Sequence, residues 1–212
     1  MLVPLAARTF TPEPTAAALR LGALARALAG GGDRVRVLTS RLAPVVARGA
    51  ARADEPGTGL VEVRRAPVLR DSTGAVRGYV SYLSFDVPLI ARLLAGPRPD
   101  VVVAEPPPTT GAAVRLACAL RRVPYVYYCA DIVSDAAALA GVARPVVRAV
   151  AGLESFALRG ARRVVAVSDG VAGRARDLGA ADVAVVPNGV RVPEAVAAGV
   201  PEGFPTCGGP AF

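Results

Sequence analysis

An apolar run over residues 2–7 ends at Arg8, and the stretch that follows carries Pro12 and Pro14, which regular structure does not cross. This pattern predicts a buried strand and then a loop. From Thr15, whose hydroxyl suits a helix cap, Leu19, Leu21, Leu24, Ala25 and Leu28 recur at near-helical spacing until Gly30, Gly31 and Gly32 stop the helix. Val35 and Val37 alternate with Arg34 and Arg36 and run into Leu38, giving a second strand. The pattern is lost over residues 41–59, where Gly49, Pro56, Gly57 and Gly59 predict a loop, and it returns as a short strand over 60–66. Tyr79, Leu83, Val87, Ile90, Leu93 and Leu94 then mark a helix over 78–94 despite Pro88.

Val101, Val102 and Val103 read as a strand buried on both faces. A proline loop over 105–110, a helix over 111–122, a strand over 124–129 and a loop from Asp131 come next. A long helix over 142–159, a strand over 164–167, a helix over 169–178 and a strand over 183–186 complete the pattern. Strands alternating with helices of ~10–15 residues imply right-handed crossovers and a parallel sheet covered on both faces. The expected fold class is α/β, a Rossmann-like three-layer domain over residues 1–187, with 188–212 as a linker or tail rich in Gly and Pro.

Composition agrees with a packed domain, since 53% of the 212 residues are hydrophobic while only 5% are aromatic and Trp is absent. The core is therefore built from small aliphatic side chains. The formal charge of +8 comes entirely from arginine, with no lysine, and the arginines are scattered or paired without interleaved aromatics. Base stacking has no platform in such a pattern, so nucleic acid is not an expected partner. Peripheral contact with an anionic membrane surface fits the charge better. Cys118, Cys129 and Cys207 are odd in number and lack CxxC spacing, which predicts neither a disulfide framework nor a metal site and fits a cytoplasmic protein. With no histidine in the chain, nucleophilic triads that use one are excluded.

In doubly wound sheets, ligands sit beyond the carboxyl ends of the strands, which singles out the loops over 10–18, 105–111, 130–135 and 168–170. Thr15 and Ser168 each suit a helix cap as well as a ligand contact, and Glu105 and Asp131 are the acids at neighbouring strand ends. The three glycines at 30–32 follow a helix, not a strand, so they are a stop signal and not a dinucleotide fingerprint.

As an ordered set, these segments resemble family 4 glycosyltransferases, which have the GT-B fold of two such domains. The resemblance is carried by residues 10–39 (strand, proline loop, helix, glycine turn, strand ending in Leu-Thr) and by Arg98-Pro99-Asp100. It continues through Pro106 to Pro108, Pro124-Tyr125-Val126 with Asp131, Glu154, Val164 to Ser168, and Pro187-Asn188-Gly189-Val190. The proline loops are most similar to the exopolysaccharide and colanic-acid-type subgroup. The resemblance implies the acceptor-side, amino-terminal half of a retaining enzyme that moves a sugar from a nucleotide-sugar donor to a glycan or lipid-linked acceptor. It implies a catalytic part for Asp131, orienting the acceptor hydroxyl, and acceptor contacts at Thr15, Ala16, Glu105 and Ser168. No metal or cofactor is expected on this half. The donor belongs to a second domain, expected to be missing here or supplied by a separate donor-binding half, so that this chain alone is expected to be inactive. Two departures stand out: Thr15-Ala16 where relatives commonly have two glycines, and Tyr128 where they often have histidine. The alternatives are a non-catalytic binding module, a degenerate half that holds a lipid carrier or partner subunit, and a sugar-nucleotide epimerase of the same shape.

Overall fold

The computed structural model describes residues 1–43, 46–47, 59–71, 76 and 78–189. Most of the loop expected over 41–59, the tail beyond residue 189 and Cys207 lie outside the described residues.

The strands are β1 (Leu2–Ala6), β2 (Arg34–Ser40), β3 (Val61–Ala66), β4 (Val102–Ala104), β5 (Tyr125–Cys129), β6 (Arg163–Ala166) and β7 (Val183–Val185). They form one seven-stranded sheet in the order β3-β2-β1-β4-β5-β6-β7, with every pair parallel. The helices among the described residues are α1 (Ala16–Gly30), α2 (Tyr79–Ala95), α3 (Pro108–Arg121), α4 (Val133–Leu139), α5 (Arg144–Gly160) and α6 (Asp169–Asp177). None of them is long and apolar enough to cross a membrane. The doubly wound α/β sheet is the expected fold.

Alternation along each strand builds two cores. Val3, Leu5 and Val103 join Leu21 and Ala25 of α1 in one cluster, while Ala6, Val102 and Ala104 join Phe85 and Leu89 of α2, Val114 of α3 and Leu158 of α5 in the other. Each fully buried leucine or phenylalanine contributes about 1.5–3 kcal/mol. Leu19 is an exception to the pattern read from the sequence, because it lies on the exposed side of α1. Gly22 on α1 permits a close approach: a Cβ there would come 2.8 Å from the Thr11 methyl, so the loop after β1 lies directly on this helix. The glycine stop after α1 is present, with Gly31 as the C-cap and Gly32 at φ +88.

Two differences from the sequence reading bear on the site. The loop expected over 105–110 is shorter, because α3 already starts at Pro108. Proline's fixed φ and missing N–H suit the first helical position, so it opens the helix instead of delaying it. The loop expected from Asp131 contains the short helix α4, whose first N–H groups are held by a carboxylate from α5.

The order of strands places the reversal of winding between β1 and β4. The Ala7 N–H donates to the Leu38 carbonyl of β2, and the Glu105 N–H donates to the Ala6 carbonyl, so the end of β1 is clamped from both sides. The chain leaves β1 and β4 toward opposite faces, opening a crevice at their carboxyl ends.

Candidate functional site at the carboxyl rim of the sheet

All five residues singled out from the sequence stand on this rim. Thr15 caps α1 by accepting from the Ala18 N–H at 3.1 Å, and Ala16, exposed, is the first helical residue. Ser168 is exposed and caps α6 by accepting from the Val171 N–H at 3.3 Å. Glu105 follows β4 directly and is only 5% exposed, whereas Asp131, two residues past β5, is exposed. Glu105 and Asp131 are close enough to repel each other. Thr15 and Ser168 are occupied as caps, and neither hydrogen-bonds to the two acids among the described residues.

Glu105 is the centre of this arrangement. Its carboxylate faces the Arg20 guanidinium at 3.7 Å, too long for a hydrogen bond, and takes no hydrogen bond among the described residues. Burial pushes its pKa up to about 7, against the pull of Arg20 and Arg8, and Asp131 adds to the rise. A carboxyl group poised there exchanges a proton near neutral pH, which suits an acid or base.

Around it are residues that the sequence reading missed. Arg8, at the end of the first apolar run, lies with its guanidinium 3.8 Å from the centre of the Tyr82 ring on α2, and burial pulls its pKa down. Asp86, one turn further along α2 and 3% exposed, accepts from the Thr110 hydroxyl at 2.6 Å, and burial raises its pKa. Glu13, buried in the loop before α1, is raised by burial while Arg70 and Arg65 oppose the shift. Arg65 in turn donates to the Thr11 carbonyl at 2.5 Å. On the far side Arg20 lies 6.0 Å from the Tyr128 ring, whose hydroxyl donates to Asn188 Oδ1 at 3.1 Å. The one signal in the sequence was a charge set next to an apolar run, as at Arg8 and Arg20.

Glu154 is 1% exposed, and its role is positional: it accepts from the Val133 N–H at 2.9 Å, the Ser134 N–H at 3.2 Å and the Ser134 hydroxyl at 2.6 Å. This fixes α4 immediately after Asp131. Cys118 and Cys129 are free, buried thiols pushed up to about 12 by burial, so neither is a nucleophile near neutral pH. Among the described residues no three His, Cys, Asp or Glu side chains gather as a metal site would require. The rim thus offers hydrogen-bond donors and acceptors of both charges around one proton-exchanging carboxyl, the chemistry that recognises hydroxyl groups.

Comparison with solved structures agrees with the fold. The Anabaena protein Alr3699/HepE, crystallised with UDP-glucose, superposes at a TM-score of 0.58 with 17% identity over 90% of this chain and 44% of its own. The Arabidopsis thaliana protein UGT89C1, crystallised with quercetin, gives 0.57 with 13% identity over 93% of this chain and 53% of its own. The S. aureus protein MnaA, solved with UDP, gives 0.53 with 16% identity over 87% and 43%. The chain therefore spans about half the length of these proteins and corresponds to one half of a GT-B fold. A search of the curated proteins finds no match. The model of the glycosyl transferase 4-like domain matches residues 15–189, most of the sequence, and the chain belongs to that family.

Proposed function

We propose that this chain is the acceptor-side half of a retaining glycosyltransferase that moves a sugar from a nucleotide-sugar donor to a glycan or lipid-linked acceptor, in the manner of exopolysaccharide and colanic-acid-type assembly. The observation that carries the reading is the buried Glu105, under-hydrogen-bonded beside Arg20 and Asp131 at the crossover of the sheet. Glu154, at similar depth, takes three hydrogen bonds, whereas none from the described residues reaches the Glu105 carboxylate. Asp131, exposed on the rim, orients the acceptor hydroxyl. Glu105 holds a second hydroxyl and exchanges its proton, while Thr15, Ala16 and Ser168 line the approach. The amino terminus of α1 faces charge developing on the donor phosphates, which a second domain would present across the crevice.

The test is an assay of UDP release by the 212-residue chain with UDP-glucose and a prenyl-diphosphate-linked saccharide, alone and with a donor-binding half supplied as a separate chain. Negligible release alone and release on addition of the second half support the reading. In the reconstituted pair, Asp131→Asn should lower turnover by about 100-fold or more. Release by the chain alone would overturn its assignment as a half-enzyme, and full activity of Asp131→Asn would overturn the role of that residue.

A further inference from the structure

The amino-terminal half of α5 presents an apolar surface to solvent. Pro145, Val146, Ala149, Val150 and Leu153 line a groove of about 390 Å³. At the end of α4 Leu139 is 89% exposed, and in the turn before α5 Val142 is exposed too. A run of apolar side chains on one helix face together with its approach turn is more than the scattered exposed leucine of an ordinary surface.

The charges beside this surface have one sign. Arg144 and Arg148 are exposed and have no ion pair among the described residues, and they form the neighbouring row on the same helix. The one acid of α5, Glu154, is buried and turned onto α4. The acid on α4, Asp135, accepts from Arg174 Nε and Nη2, each at 2.8 Å. An apolar row beside an arginine row, with no exposed acid on the helix, is the pattern of a helix that lies in the boundary between headgroups and acyl chains. The net charge of +8 acts in the same direction.

We infer that the α4–α5 surface docks on an anionic lipid bilayer, the apolar row entering the acyl boundary and Arg144 and Arg148 meeting phosphate headgroups. The inference deepens the proposed function, on which it rests for its purpose, by choosing a lipid-linked acceptor over a soluble glycan. α4 follows the carboxyl end of β5, so the amino terminus of α5 lies at the same end of the domain as Glu105 and Asp131. A docked α5 would hold that end near the membrane surface, where the saccharide of a lipid carrier is exposed.

The experiment is co-sedimentation of the 212-residue chain with vesicles of phosphatidylcholine alone or mixed with phosphatidylglycerol. Neither vesicle holds a saccharide, so the result is independent of glycosyl transfer. The mixed vesicles should bind the protein and phosphatidylcholine should not. Arg144→Gln with Arg148→Gln should weaken binding on the order of tenfold, and Leu139→Asp with Val146→Asp should abolish it. Circular dichroism checks the fold, and the arginine pair keeps the test valid should the aspartate pair unfold. Failure to bind mixed vesicles, or binding that neither pair of changes reduces, overturns the inference. A dimer in solution that is dissociated by Leu139→Asp with Val146→Asp would also overturn it, because the surface would then belong to a second copy of the chain.

Discussion

Two glutamates lie at similar depth in this domain and are treated in opposite ways. Glu154 takes three hydrogen bonds from Val133 and Ser134 and so holds the first turn of α4. Glu105 has Arg20 at 3.7 Å and neighbouring like charge at Asp131. The first is a carboxylate used to build, with its cost of burial offset by its donors. The second remains costly to ionise, and it stands at the crossover where α/β sheets bind ligands. Glu154 is tied into the structure by its donors, whereas Glu105 meets Arg20 and the like charge of Asp131.

Removing Glu154 should produce the largest loss. Glu154→Ala strands the buried Ser134 N–H and hydroxyl and the part-buried Val133 N–H, and denaturant unfolding should show a cost of about 3–5 kcal/mol. A loss below about 1 kcal/mol would remove its claim to a structural role.

Glu105→Gln should do the reverse at neutral pH. Because burial raises the Glu105 pKa from 4.5 to about 7, the folded state retains a proton that the unfolded state has released. Stability contributed at this site is therefore undiminished below pH 4.5, falls as pH rises toward 7, and stays low above it. The glutamine variant lacks that fall and should exceed the parent by about 2–3 kcal/mol at pH 8, with little difference at pH 4. Urea unfolding across that range measures it, and an unchanged pH slope in the variant would return Glu105 to the structural class.

Gly111→Ala should cost about 2 kcal/mol in thermal unfolding, since a Cβ there would meet the Tyr127 ring at 2.5 Å and the Ala157 Cβ at 2.8 Å. This seam holds α3 to α5, and the change should leave the pH slope of Glu105 in place. Tyr125→Phe should be the mildest, about 1 kcal/mol, by removing the buried hydroxyl that donates to the Ala157 carbonyl.

The strands and helix ends were legible in the sequence, and the partners of the buried charges were not. Apolar runs at Leu2, Val35, Val102 and Val164 marked the strands, and Thr15, Ser168 and the glycines at 30–32 marked helix ends, because each acts through neighbours in the chain. The helix α4 was missed because Val133–Leu139 is short and carries no apolar period, and what stabilises it is Glu154, far along the chain. For the same reason Arg8 with Tyr82 and Asp86 with Thr110 were invisible: the fold supplies each partner from another element. Glu105 and Asp131 could be placed on adjacent strand ends, but the burial that separates one from the other could not be read.

We propose that the carboxyl rim around Glu105 binds the acceptor while the nucleotide-sugar donor binds elsewhere. The most direct test is a titration of the isotope-labelled 212-residue chain, followed by amide chemical shifts, with a prenyl-diphosphate-linked saccharide and separately with UDP-glucose. Saturable shifts are expected in residues 10–18, 105–111 and 130–135 with the saccharide, lost in Glu105→Gln and Asp131→Asn, and none with UDP-glucose. Shifts confined to other surfaces, or tight binding of UDP-glucose at this rim without the saccharide, would contradict it.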